Sequence, residues 1–269
     1  MPADSLKQLR AIAADVASRA HVPFSGKHVA AVLLLEDGSW IPGVRVESAS
    51  YSLTIPPLLN AWTTAVALLR MDIRAVVISR PFRPEETLFV DSLRLGEMKV
   101  FATDAYVAGG SIPEPVDPLR PFLDYHSTLS PSRAIQLARD IAARAFIPES
   151  RFPVGCLLEI SREGMIPGVN VESEDWSSIL CAERNALGTA VSYGFASRIE
   201  ALYLSCPLAP GATPCGACRQ LLAELAPAAT LWMDQGEGAP LSSTPQDLLP
   251  LFFSGNSLSA IRGHNRVSK

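Results

Sequence analysis

The chain has 269 residues, 48% of them apolar and 19% charged, a composition that suits one large or two small soluble globular domains. Its net charge of −4 and pI near 5.6 lack the basic surplus that binding a nucleic-acid backbone demands, so the expected partner is a small molecule, not nucleic acid. No apolar run reaches the ~18 residues of a membrane span, and MPADSLKQLR has neither a signal core nor an Arg-rich transit pattern, so no membrane partner and a cytoplasmic address are expected.

An opening helix is predicted from the helical spacing of Leu6, Leu9, Ile12 and Val16. A short apolar strand, Val29–Leu35, follows, then a turn at Glu36-Asp37-Gly38 and a second strand around Gly43–Val46. A loop leads into an Ala-rich helix, Ala61–Leu69, and a further strand at Ala75–Ser79. Proline-rich Ser111–Pro121 reads as a link. The same order then returns. Ser130-Pro131 is an N-cap and first-turn pair before Ile135, Leu137 and Ile141. Strand Val154–Ile160, turn Arg162-Glu163-Gly164, strand Gly168–Val171, helix Ala182–Val191 and strand Ala201–Ser205 complete the series.

The return is also literal. Ile41-Pro42-Gly43-Val44 recurs as Ile166-Pro167-Gly168-Val169, 125 positions on. The same register carries Val46-Glu47-Ser48 onto Val171-Glu172-Ser173, Pro23 onto Pro148 and Asp15 onto Asp140. Chance does not hold one register so long, so the chain is two copies of one α/β fold with a mixed sheet in each. The expected division is residues 1–112, a linker at 113–128 and residues 129–269.

The five cysteines are Cys156, Cys181, Cys206, Cys215 and Cys218, an odd number that argues against a disulfide framework. Cys215 and Cys218 form a CxxC, open to metal or redox readings. Cys181-Ala182-Glu183 opens a helix of the second copy, and Pro214-Cys215-Gly216-Ala217-Cys218 follows the next strand. Thiols at helix N-termini have lowered pKa values, as zinc ligands need. Three protein ligands leave the fourth tetrahedral position to water, the arrangement of a catalytic zinc. Glu183 stands beside this set without being needed in it, where a proton shuttle between water, ring N3 and a departing amine belongs. Residue types, spacing and order follow the pattern of zinc deaminases. Zinc with three thiolates carries net −1, so Arg184 is expected to offset that charge by hydrogen-bonding a ligand sulfur, with Arg219 a second candidate; the plain alternative for Arg184 is a surface ion pair. Cys156 and Cys206 read as core thiols.

At these residues the chain resembles the cytidine deaminase family. The matching segments are Arg151-Phe-Pro-Val-Gly155, Gly168-Val-Asn-Val-Glu172, Ile179-Leu-Cys-Ala-Glu-Arg184, Pro214-Cys-Gly-Ala-Cys-Arg-Gln220 and Leu248-Leu-Pro-Leu-Phe-Phe253. The resemblance implies two tandem three-layer α/β/α domains, each a central mixed sheet flanked by helices. It implies hydrolytic deamination of cytidine and deoxycytidine to uridine and deoxyuridine, as in pyrimidine salvage, by a hydrolase acting on a cyclic amidine C–N bond. Asn170 and Glu172 would hold the ribose 3′-hydroxyl, Phe152 would stack on the pyrimidine, Ala182 would offer its backbone to the base edge, and the Phe252-Phe253 tail would pack near an active site.

The chain departs from the family's wording in two places. The family's usual Asn-Ala-Ser-Tyr-Gly is replaced by Ser173-Glu-Asp-Trp-Ser177, and Cys156 stands where the family usually has Ala. In the first copy, Cys181, Ala182 and Glu183 map to Pro56, Pro57 and Leu58, Phe152 to Lys27 and Asn170 to Arg45. With the register moved by one, Cys215 and Cys218 map to Phe89 and Ser92, while Glu47 and Ser50-Tyr51 persist. The expectation is one zinc per chain, in the C-terminal domain, and an inactive first copy kept for its interface. Family tetramers and two-copy dimers imply a homodimer. The rival readings are a deaminase of another free cytosine nucleoside, such as blasticidin S, to which an acidic loop would suit a cationic substrate, and a non-catalytic deaminase-like scaffold.

Overall fold

A computed structural model describes residues 2–93, 95, 96, 98–123, 129–175, 178–255 and 258. Residues 124–128 of the expected linker and Trp176-Ser177 of the acidic loop lie outside these.

Helix α1 (Pro2–Val16) buries Leu6, Leu9, Ala13 and Val16, the stripe that a 3.6-residue period brings to one face. Strand β1 (Ala30–Leu35) is buried at all six positions because both faces of its sheet are covered. Ala30, Val32 and Leu34 join the apolar cluster that holds Leu6 and Leu9. Ala31 and Leu33 join the cluster that holds Ala61 and Ala65 of α2 (Pro57–Ala67). Two helical layers thus sandwich a sheet whose order is β2 (Trp40–Val44), β1, β3 (Ile73–Ile78), β5 (Ala105–Ala108) and β4 (Met98–Ala102).

The second half repeats the plan. Helix α4 (Pro131–Ala142) starts where Ser130 Oγ caps the Arg133 N–H. Strands β6 (Gly155–Ile160), β7 (Gly164–Val169) and β8 (Ile199–Ser205) and helix α5 (Ala182–Ser192) correspond to β1, β2, β3 and α2. The strand register is the same, Ala30 facing Val44 in one half and Gly155 facing Val169 in the other. The second sheet runs β10 (Leu241–Ser243), β9 (Thr230–Met233), β8, β6, β7. Its β8 and β9 are parallel, because helix α6 (Gly216–Leu225) crosses over between them. In the first half α3 (Pro84–Ser92) instead leads into the β4–β5 hairpin, and every ladder between its strands is antiparallel. The first sheet is therefore antiparallel where a mixed sheet was expected.

Several boundaries differ from the sequence reading. The second strands end at Val44 and Val169, and Val46 and Val171 make isolated bridges to Ile55 and Leu180 instead. Helix α2 begins at Pro57 rather than Ala61, since proline's fixed φ suits a first helical position. Gly43 and Gly168 explain one of the repeated motifs. A Cβ on Gly168 would stand 2.3 Å from the Ala182 carbonyl oxygen, and one on Gly43 equally close to the Pro57 carbonyl, so each glycine lets a helix lie on its strand.

Helices α2 and α5 also pack on each other, and here the halves meet. Asn60 Nδ2 donates to its own Val44 carbonyl at 2.9 Å and across to Gly188 at 3.2 Å. Asn185, its counterpart, donates to its own Val169 and across to Thr63, both at 3.0 Å. Between them the Thr64 and Thr189 hydroxyls bond at 2.7 Å. The pattern is that of a two-fold axis within one chain. The segment joining the halves runs along both of them. Trp40 N–H donates to Asp117, Leu119 N–H to Trp40, and Leu123 N–H to Met165 of the second half. No helix among the described residues is long and apolar enough to cross a membrane.

Candidate active site

Cys181 is the N-cap of α5 and Cys215 the N-cap of α6, both with extended backbone and neither using its side chain as a cap. Their sulfurs thereby stand at two helix N-termini, where amide dipoles favour negative charge. Cys218 sits in the first turn of α6. Cys181 Sγ lies 3.8 Å from Cys215 Sγ, which lies 3.4 Å from Cys218 Sγ, and all three fall within 4.8 Å of one another. Four sulfur-type ligands at ~2.3 Å from a tetrahedral zinc stand ~3.8 Å apart, so this donor set fits the ion. Among the described residues it is the one such cluster of His, Cys, Asp or Glu.

Hydrogen bonds from Cys181 and Cys218, and the N–H groups of Cys218 and Ala217, pull the Cys215 thiol far down. Donation to Cys215 pushes Cys181 up to about 12, and Cys218 rises likewise by its bonds to the other two sulfurs and by burial. Glu183 is 4% exposed, and burial, reinforced by the Cys215 charge, raises it to about 7. Cys156 and Cys206 are buried, as expected of core thiols. Both are pushed up chiefly by that burial and secondly by the charge of Glu183.

The residues expected to hold substrate converge on one turn. Glu172 Oε2 accepts the N–H groups of Glu149 and Ser150, each at 3.0 Å. Asn170 Oδ1 accepts Val154 N–H at 2.8 Å and its Nδ2 donates to Phe152 O at 2.9 Å. The pair thus shapes the strand entry that carries Phe152, whose ring is 37% exposed. Ala182 is fully buried at the start of α5. Glu47 repeats the arrangement, with Oε2 accepting Phe24 and Ser25 N–H. Its Oε1, however, is taken by Arg45 Nε at 2.9 Å, and the carboxylate is buried. In the first half, the side chain in Asn170's position occupies that oxygen.

Arg184 is placed differently from expectation. Its Nη2 donates to the Leu53 carbonyl of the first half at 2.9 Å, and its buried Nε has no partner. Arg219 donates to Pro214 O, Leu248 O and Thr213 Oγ1, bracing the chain just before Cys215 rather than a sulfur. The Phe253 carbonyl accepts from Gln220 Nε2 on α6, which brings the tail to the helix bearing two of the sulfurs. Two further residues belong to the site's frame and have no sequence signature. Asp234 accepts from Ser205 Oγ at 2.7 Å and from the Arg139 guanidinium, clamping the start of the loop that ends at Cys215. Glu224 on α6 accepts from Ser48 and Ala49 of the first half.

The first half's own helix starts hold no such set. Pro56 caps α2 and Leu58, in Glu183's place, is buried. The counterpart of Cys215 is not Phe89. Helix α3 starts sooner after its strand than α6 does, so its N-cap is Arg83, and Glu86 occupies the position of Cys218. Glu86 pairs there with Arg80. A trench of about 550 Å³ lined by Leu68, Phe122 and Arg144, among others, lies against α4 and includes none of the cysteines.

Comparison with known proteins finds one family in both halves. The sequence profile described as the cytidine and deoxycytidylate deaminase zinc-binding region matches residues 130–233, and a second profile of the same description matches residues 2–79. A cytidine deaminase of Halalkalibacterium halodurans is 35% identical over 130 residues, 47% of this chain and 98% of that enzyme. One from Sporosarcina psychrophila is 37% identical over 118 residues, 43% of this chain and 85% of that enzyme. Among solved structures, the cytidine deaminase of Burkholderia pseudomallei aligns with 30% identity and a TM-score of 0.44, covering 46% of this chain and 100% of that one.

Proposed function

The chain belongs to the cytidine deaminase family, in a two-copy form, and from that premise we propose that it hydrolyses cytidine and deoxycytidine to uridine, deoxyuridine and ammonia. Its one zinc per chain is held by Cys181, Cys215 and Cys218 in a catalytic domain of residues 129–269, joined through 113–128 to a metal-free domain of residues 1–112. The observation that carries the reading is three sulfurs at the spacing of a zinc ligand set, with the buried carboxyl group of Glu183 two residues from one of them. Bound zinc supplies Lewis acidity and a water nucleophile at neutral pH. Glu183 moves the protons. Its buried carboxyl accepts one proton from water and delivers it to ring N3, then carries the second water proton, from the oxygen now on C4, to the departing amine, which leaves as ammonia. Glu172 keeps Oε1 for a ribose hydroxyl beside Asn170, Phe152 lays its ring on the pyrimidine, and the backbone at Ala182 meets the base edge. Arg184 brings positive charge next to Glu183. The family resemblance supports a homodimer, and free cytosine nucleosides as substrates support a place in cytoplasmic pyrimidine salvage.

The exposed acidic pair Glu174 and Asp175 favours one second reading, a cationic cytosine nucleoside such as blasticidin S. Zinc-loaded protein incubated separately with cytidine, deoxycytidine and blasticidin S decides between them. Loss of the cytosine absorbance with the first two supports the proposal, turnover of blasticidin S alone supports the second reading, and turnover of none defeats both.

A further inference from the structure

We propose that Glu224 is a positioning residue for the sulfur cluster, and that the metal-free half of the chain is the anchor it works against; the proposal rests on reading Cys181, Cys215 and Cys218 as the metal centre. Helix α6 carries two of the three sulfurs at its first turn. Its inward face is Leu221, Leu222 and Leu225. Apolar contact of that kind has no direction, so it resists separation better than it resists a small slide or rotation. Metal–sulfur distances, by contrast, are held within ~0.2 Å. Directional bonds must therefore set the helix, and they lie at its two ends. Arg219 ties the first turn to Pro214, Thr213 and Leu248.

Glu224 ties the last turn. Its Oε1 accepts Ser48 Oγ at 2.7 Å and Gln220 Nε2 at 2.6 Å, and its Oε2 accepts Ala49 N–H at 2.8 Å. Hydrogen bonds to an ionised acceptor are roughly twice as strong as neutral ones. The anchor itself is stiff. Ser48 and Ala49 are buried, Ser50 N–H donates back to Ser48 Oγ, and the preceding Glu47 is locked by Phe24, Ser25 and Arg45. Gln220, held by Glu224, in turn holds the tail through Phe253 O. A half with no metal ligands of its own thus fixes the angle at which Cys215 and Cys218 are presented.

The test uses the full chain loaded with cobalt(II), whose sulfur charge-transfer and ligand-field bands report ligand geometry directly. Glu224→Ala, Glu224→Gln and Ser48→Ala are compared with wild type for those bands and for kcat and KM separately. Misplacement of a reacting constellation predicts a kcat lowered about tenfold in Glu224→Ala with KM within about twofold, and shifted ligand-field bands. Ser48→Ala should move the same quantities less, and Glu224→Gln should fall between, since its carbonyl still accepts one bond. If Glu224→Ala does not fold, Ser48→Ala decides. Variant bands and kcat that coincide with wild type overturn the positioning role. A wild type with no sulfur-to-cobalt band removes the metal centre, and the proposal with it.

Discussion

Glu183 is the buried acid to which we assign proton transfer; burial and the Cys215 charge raise its carboxyl, and the Arg184 charge partly offsets them. Glu183→Gln keeps the shape and a hydrogen bond but removes the transferable proton. It should lower kcat by about 10²–10⁴-fold while zinc content stays at the wild-type level, as steady-state assays and metal analysis would show. Asp234 supports the same site through stability. Burial alone would raise its carboxyl, but the Arg139 guanidinium, the Ser205 hydroxyl and the Gly236 N–H outweigh that and hold it below the usual range. A folded-state pKa below the unfolded one gives stability that is complete above the unfolded value, about 3.9, and lost as pH falls through the folded value. Asp234→Asn should therefore be less stable than wild type at pH 7, with the difference narrowing below about pH 4 in denaturant titrations. At this scale the sequence reveals the ligand types, because zinc chemistry restricts them to a short spacing. It cannot reveal the partners of Arg184 and Glu224, which lie 131 and 176 positions away.

Elements position these residues by close approach. The carbonyl of Ala182, beside Glu183, presses on Gly168, and a Cβ there would meet it at 2.3 Å. Gly168→Ala should cost about 1–3 kcal/mol by overpacking and displace the start of α5, with kcat falling. Gly216, the first residue of α6, is the control, since a Cβ there meets nothing within 4 Å. Gly216→Ala should leave stability unchanged or raise it by up to about 1 kcal/mol on helix propensity. Thermal and denaturant unfolding of the two variants would check both. The elements legible in the sequence are those buried on a regular stripe or on both faces. Helix α3 has Phe89 and Val90 side by side instead of a stripe, and β4 is exposed at three of its five positions, so neither declares itself. The shorter path from β3 to α3 also breaks the repeat's register, which is why Phe89 was a false counterpart of Cys215.

The whole molecule is two copies of one fold, of which the second carries the three-cysteine set and Glu183. Its repeat is plain in the sequence because strand register and helix–strand contact preserve the same glycines, prolines and carboxylates in both. What the repeat cannot show is that Asn60, Asn185 and the two threonines join the copies. Asn185→Ala leaves the Thr63 and Val169 carbonyls short of a donor and should destabilise the chain by about 1–3 kcal/mol. Both halves should still unfold in a single transition by far-UV circular dichroism and tryptophan fluorescence. The measurement that bears most directly on the account is conversion of cytidine to uridine by the full chain before zinc is stripped with a strong chelator, after stripping, and after zinc is returned. The account predicts turnover that disappears with the metal and comes back with it. Turnover that survives complete removal of zinc would contradict it.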